Sequence, residues 1–220
     1  MDTLQLKTAT DVVKTEGPNR ISRDEGLLAS GSGVVLCGTV LGRIGVGTAV
    51  SAAKAGGNTG NGTLTLDVTN PVRDGAKVGV YRVRLKTAAA NGGTWQVTDP
   101  EGYDLGEVAV GAGFDNDLKF ATADGATDFI VGDGFDVTVS LGSGKYAPLD
   151  FADADGSQTA DAIILEKADA TSADVRVVLL RRQAEVVNQA LVWPVGATTL
   201  QKNAALARLE QRGIVARNGV

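Results

Sequence analysis

The chain has 220 residues, 43% of them hydrophobic, with a mean hydropathy of +0.03, the balance of a globular protein with one large β domain or two modest ones. It contains no histidine and one cysteine, Cys37, which excludes Ser-His-Asp and Cys-His catalysis, His-ligated metals, Cys-rich zinc sites and an intrachain disulfide. A net charge of −5 with a pI near 4.8 argues against nucleic acid as the main partner, and no apolar stretch approaches the roughly 18 residues of a membrane span.

The opening residues 1–18, "MDTLQLKTATDVVKTEGP", lack the basic flank and apolar run of a signal peptide. They hold too few apolar residues for a core of their own and end in Gly17-Pro18, which marks a break before a folded body. Within them "TLQLKTAT" (Thr3, Leu4, Gln5, Leu6, Lys7, Thr8, Ala9, Thr10) alternates in the strand period. That pattern is expected of a loose arm able to add as a strand to a partner's sheet edge. Cys37, inside "GVVLCGTVLG", reads as a small core residue. "GTVLGRIGV" reads as a strand, and the nearby "SGSGVVLCG" and "GRIGVG" are turns, since neither has phosphate-loop spacing nor a following helix.

Composition then shifts. Between Val50 and Ser140 there are 7 Lys+Arg and 12 Asp+Glu, leaving 14 of each elsewhere, and four of the five Phe and 15 of the 29 Gly fall in this piece. The shift suggests one domain inserted into another. Here "TLTLDV", "YRVRLK", "TWQVTD", "LGEVAVG", "DLKFAT", "DFIV" and "FDVTVSL" give seven candidate strands, several separated by Asn-Gly and Asp-Gly turn signals. About seven short strands in about 90 residues suit an immunoglobulin-like sandwich with Trp95 as a core aromatic. The acidic loops "FDNDL", "ADGATD" and "VGDGFD" lack EF-hand spacing and read as turns, so no metal is expected.

After the insert, "GKYAPLDF" pairs in expectation with "GTVLGRIGV", placing residues 49–141 on a hairpin tip, where insertions are tolerated. "DAIILEK" and "DVRVVLLRR" form a further pair, with Arg181-Arg182 a solvated strand end. Thr198 and Gln201 form a capping box opening a helix with an apolar stripe of Leu200, Ala204, Ala205, Leu206 and Leu209. Gly213 is the expected stop, Ile214 its hydrophobic contact, and "GIVAR" returns as a strand.

Three stretches carry a resemblance: "NRISRDEGLLASGSGVVLCGTVLG", "SGKYAPLDFADADGSQTADAIILEKADATSADVRVVLLRRQAEVV" and "ALVWPVGATTLQKNAALARLEQRGIVAR". Together they resemble the bacteriophage head decoration protein D family, the lambda-type capsid-stabilising proteins. The most specific parts are Ile21-Ser22-Arg23-Asp24-Glu25, the Asp155–Ala160 turn and "ALVWP". The insert is a departure, since compact members lack it; its "NGGTWQVTDPEGYDLGEVAVG" looks like accessory domains of phage structural proteins. The resemblance implies a β-clip-type domain formed by residues 19–48 and 142–220, interrupted by the sandwich at 49–141. It also implies a homotrimer on the outer surface of the icosahedral head, bound to the major capsid protein and holding it against internal DNA pressure. Assembly would take place in the host cytoplasm. In this reading the N-terminal arm engages the shell, and Trp193, Pro194, Leu206 and Leu209 serve core or trimer packing.

The expected fold is therefore mainly β with one C-terminal helix, and the expected role is structural, without cofactor, metal, membrane or direct nucleic-acid partner. A second reading makes the sandwich a module that attaches to host glycans or surface proteins, with Tyr103 and Phe114 as its candidate aromatics. An enzyme is the third, and neither Asp24-Glu25 nor Asp153-Asp155 offers a convincing carboxylate pair.

Overall fold

The computed structural model describes residues 7–218. The fold is mainly β, in several sheets, with one long helix near the C-terminus. In chain order it opens with a four-residue helix α1 (Ala9–Val12) and strand β1 (Val13–Glu16), followed by β2 (Arg23–Leu28), β3 (Gly33–Val35) and β4 (Val40–Arg43). Next come β5 (Val46–Ala53), β6 (Thr63–Leu66), β7 (Gly79–Ala89), β8 (Gly92–Thr98), β9 (Asp104–Ala109), β10 (Gly113–Asp115), β11 (Lys119–Ala123) and β12 (Gly134–Leu141). The chain closes with β13 (Tyr146–Pro148), β14 (Ala160–Ile164), β15 (Ala168–Ala170), β16 (Val175–Leu180), β17 (Ala184–Val187), helix α2 (Thr199–Gln211) and β18 (Ile214–Arg217). Two compact units result, one from residues 1–44 with 144–220 and one from 45–143.

In the first unit, β13, β2, β16, β14 and β4 close into a barrel. β4 and β13 pair antiparallel, Arg43 opposite Tyr146, and β14 pairs β16 with Ile163 opposite Leu180, the two pairings expected from sequence. The β4–β13 ladder continues outward, since the Ile44 N–H donates to the Lys145 carbonyl (2.9 Å) and the Gly144 N–H to that of Ile44 (2.9 Å). The unit boundary therefore lies at 45 and 143 rather than 49 and 141. One core gathers Leu28, Leu41, Ala162, Ile164 and Leu179; another gathers Val12, Val40, Ile163, Leu180, Val186, Leu209 and Ile214.

α2 begins and ends as its sequence dictates. Thr198 accepts from the Gln201 N–H and the Gln201 side chain reaches back, a complete capping box. Gly213 sits at φ 77°, a left-handed position that favours glycine. Ala205 and Leu209 are buried against the core and Leu206 partly so, whereas Leu200 and Ala204, expected on the same stripe, are exposed. The 3.6-residue period places those two on the far side of the helix. β18 pairs parallel with β17, and β1 takes the other edge of that small sheet.

The expectation of a loose arm over residues 1–18 does not fit the described part of it. Thr3, Leu4, Gln5 and Leu6 lie outside the described residues, but Thr8 caps α1, Val12 is fully buried and β1 pairs antiparallel with β17. In the described part of "TLQLKTAT", Lys7–Thr10, Thr8 and Asp11 form a capping box that starts a helical turn in place of a strand. A local side-chain bond outweighed the period.

The second unit holds a five-stranded sheet, ordered β5-β12-β7-β8-β9, and a three-stranded sheet, ordered β10-β11-β6. Both contribute to one core, in which Tyr81, Val83, Trp95, Val97 and Val137 meet Leu64, Phe114 and Phe120. Trp95 is fully buried, its ring 4.8 Å from that of Phe129 and edge-on to it. "DFIV" is not a strand, because the buried Asp133 carboxylate accepts the N–H groups of Thr59 (3.0 Å), Gly60 (3.0 Å) and Ile130 (3.1 Å). Those bonds hold the segment as a loop that drops Phe129 into the core. A Cβ on Gly60 would lie 2.6 Å from the Phe129 ring, so the glycine is what admits it.

Candidate functional site

The residues singled out for attachment and assembly fall in two places on the first unit. The N-terminal segment is fastened by Lys7, whose ammonium donates to the Ala190 carbonyl (3.1 Å), and by Asp11, which accepts the Thr8 N–H at 2.8 Å. The Thr8 N–H and hydroxyl hold the Asp11 carboxyl below its usual range. The same Ala190 carbonyl would lie 2.6 Å from a Cβ on Gly38, a residue at φ 88°. Gly38 thus lets the "ALVWP" strip zip against residues 38–40, with the Val192 N–H donating to Gly38 (2.9 Å) and Val40 N–H to Val192 (3.2 Å). Trp193, next along, is half-buried against the Leu209 core, and Pro194 is half-buried beside it. Val195 and Leu200 then stand out in solvent, 106% and 80% exposed.

A second feature is a chain of ion pairs across the segment Ile21–Glu25. Arg23 grips Glu16 through two bonds of 2.7 and 2.9 Å, tying β1 to β2. Asp24 accepts from Arg182 and, at 3.3 Å, from Arg181. Asp161, nearly buried, pairs with Arg212 at the end of α2 and lies 3.6 Å from Arg181. Arg181-Arg182 is therefore not a free solvated strand end: antiparallel pairing of β16 with β2 sets both arginines beside Asp24. Ser22, fully buried, takes the Gly17 N–H on its hydroxyl (2.8 Å) and donates to the Gln183 carbonyl (2.7 Å). In the Asp155–Ala160 turn the Ser157 hydroxyl lies 2.6 Å from an Asp155 carboxylate oxygen and 3.0 Å from one of Asp153. Each of these segments makes structural contacts within the first unit.

Nothing in this arrangement resembles a catalytic constellation. Among the described residues no group of three His, Cys, Asp or Glu side chains is placed to hold a metal ion. Cys37 is buried, and burial pushes its thiol up from the ordinary value. In the second unit Phe114 is buried and stacks on Phe120, 5.1 Å between centroids, while Tyr103 is 67% exposed with the Lys77 ammonium 5.3 Å from its ring.

Compared with known protein families, residues 4–214 match the model of the bacteriophage lambda head decoration protein D. The chain belongs to that family. Membership implies a role in decorating the phage capsid, with the capsid as partner and the virion as place. The head decoration family is structural and not one of enzymes. No curated protein matches the chain. Among solved structures, two crystal forms of Xanthomonas campestris FlgL are similar at 22% and 19% identity, covering 48% and 51% of this chain and 33% of theirs, each with a TM-score of 0.31. The chain spans about a third of those proteins' length, and the likeness is too slight to carry an argument. Sequence reasoning found the decoration-family segments, but not the Asp161–Arg212 link or the buried role of Val12. Neither residue stands in a local pattern that announces its partner.

Proposed function

We propose that this decoration protein sits on the outer surface of the icosahedral head as a homotrimer and braces neighbouring capsid subunits against the pressure of packaged DNA. The observation that carries the reading is the family match across residues 4–214. In this reading the barrel unit is the β-clip-type decoration domain and residues 45–143 are an immunoglobulin-like insert carried on the β4–β13 hairpin. The insert's excess of acidic side chains suits a solvated position. Attachment runs through the N-terminal segment. Since α1 and β1 belong to the folded body, the part that reaches the shell is the stretch ahead of Lys7, with Leu4 and Leu6 as its apolar side chains. The host-surface reading finds less support, because Phe114 is committed to the core and Tyr103 stands alone.

The test uses heads of the cognate phage stripped of this protein. Full-length protein is expected to bind them to saturation in multiples of three per site and to raise the temperature at which they release DNA. A variant lacking residues 2–6 is expected to keep its fold and its oligomeric mass but bind heads much more weakly. Undiminished decoration by that variant would move attachment to the folded body, and failure of the full chain to bind would end the reading.

A further inference from the structure

The hairpin that joins β7 to β8 turns through Ala90 and Asn91, with Ala89 opposite Gly92 as its closing pair. Residues 86–91 are all exposed, and Asn91 stands in the left-handed region at φ 50°. Its N–H donates to Asp128 (3.1 Å), but its side-chain amide has no partner among the described residues. The residue after it is glycine, whose missing Cβ leaves its backbone nitrogen unshielded and its conformation free. One other Asn-Gly pair lies wholly within the described residues, Asn61-Gly62. There the Asn61 Oδ1 accepts the Thr127 N–H (2.9 Å), and a Cβ on Gly62 would lie 2.3 Å from the Ala123 carbonyl oxygen and 2.5 Å from the Phe129 ring. At Gly92 a Cβ would meet nothing nearer than 3.8 Å. One pair is locked in place, and the other is open.

We propose that Asn91 is a site of spontaneous covalent modification. The deprotonated Gly92 nitrogen attacks the carbonyl carbon of the Asn91 side chain. A C–N bond forms, the side-chain nitrogen leaves as ammonia with the proton that Gly92 gave up, and a cyclic imide remains. Water then opens the imide. Breaking the new bond leaves aspartate at 91, and breaking the original peptide bond leaves isoaspartate, with the main chain rerouted through the side-chain carbon. Ring closure requires the turn to leave its resting geometry, and an exposed hairpin tip that buries little opens at small cost. Either product sets a new carboxylate beside Asp128, and like charges so near one another repel. Isoaspartate also inserts an extra backbone atom between Ala90 and Gly92, which breaks the register that the turn fixes. The tip of the β7–β8 hairpin thus gains charge as the protein ages, and its tie to Asp128 weakens.

Full-length protein is held in mildly alkaline buffer and sampled over weeks. Its tryptic peptides are sequenced by mass spectrometry, and isoaspartyl methyltransferase labelling counts the rerouted product. The change is expected at Asn91 while Asn61 stays intact, at a rate that rises with hydroxide concentration because the Gly92 nitrogen must first lose its proton. Gly92→Ala is expected to abolish it. A Cβ has room there, so thermal unfolding of that variant should match the parent, while the methyl group obstructs attack by its own nitrogen. Asn91→Gln, which would have to close a larger and slower ring, should likewise lose the label at the hairpin, and it serves as the block if alanine disturbs the turn. Equal modification of Asn61 and Asn91, an Asn91 that stays intact throughout, or an undiminished rate in a folded Gly92→Ala protein would overturn the proposal.

Discussion

Gly42 on β4 runs against Ser157 so closely that a Cβ on the glycine would lie 2.1 Å from the Ser157 carbonyl oxygen and 2.6 Å from its Cα. Both neighbours are backbone, and neither can swing aside as a side-chain tip would. The Asp155–Ala160 turn is thereby pressed onto the barrel, with Ala160 opposite Gly42 in the β14–β4 ladder. Gly42→Ala is expected to cost about 2–3 kcal/mol, the range of an overpacked core, read as a lower urea midpoint at unchanged slope. The space, and not backbone conformation, is the cause. Gly31→Ala offers the contrast: nothing lies within 4 Å of its Cβ position, but its φ is 89°, so any cost there is conformational.

Asp161 links the end of α2 to the barrel. Its side chain is 10% exposed, against 39% for Arg212 and 25% for Arg181. Asp161→Asn leaves Arg212 without its carboxylate, while Arg181 keeps its pair with Asp24. Because both arginines keep partial access to water, the loss should be about 1–3 kcal/mol, below that of a fully buried pair. A double-mutant cycle with Arg212→Ala should return a coupling of about 1 kcal/mol. Strict additivity of the two substitutions would show that the pair contributes nothing.

Acid should weaken the second unit through Asp133. Burial opposes ionisation of this carboxyl, but the N–H groups of Gly60, Thr59 and Ile130 together outweigh it and hold the group below the ordinary 3.8. A carboxyl with a depressed folded pKa stabilises the fold above its unfolded value and loses that contribution as pH falls through the folded one. Stability is therefore expected to decline below about pH 4. Asp133→Asn should lower stability by about 2 kcal/mol at neutral pH and flatten the acid limb. An unchanged acid limb in that variant would assign the decline to other carboxylates. Asp67, held at about 2 first by the Asn70 N–H and then by Lys119, acts in the same direction.

Two truncations test the N-terminal segment, one of residues 2–6 and one that reaches through α1 and β1. Removing residues 2–6 should leave the unfolding temperature unchanged. Removing residues 2–16 takes away the fully buried Val12 and strips β1 from β17. That deletion should cost about 3 kcal/mol or more, a buried aliphatic side chain plus a strand edge. Equal stability of the two truncated proteins would mean that α1 and β1 rest on the body without supporting it.

Ile44 and Gly144 are joined by a backbone hydrogen bond of 2.9 Å, so the ends of residues 45–143 are close enough for a tight turn. Replacing that unit by Asn-Gly should give a folded barrel that unfolds in one transition. Collapse of the shortened chain, shown by loss of cooperative unfolding, would mean the two units depend on one another.

Much of this protein is determined by its sequence alone. The period-2 runs of β7 and β12, the capping box of α2 and its Gly213 stop are local signals, set by backbone geometry within a few residues, and they form where they are written. The family segments are also local strings, which is why membership was legible from them. Tertiary structure decided the rest. "DFIV" has strand composition but is a loop, because Asp133 draws the N–H groups of the distant Thr59 and Gly60 together with that of Ile130 within the segment. The alternating pattern written over Thr3–Thr10 gives way to a helix at Ala9–Val12, and Val12 fills a core whose other members lie up to about 200 residues away in sequence. Leu200 and Leu209 share a helix and an apolar character, yet only Leu209 is buried. No pattern within α2 says which side will meet the barrel; that is fixed only when β14 and β18 close beneath it.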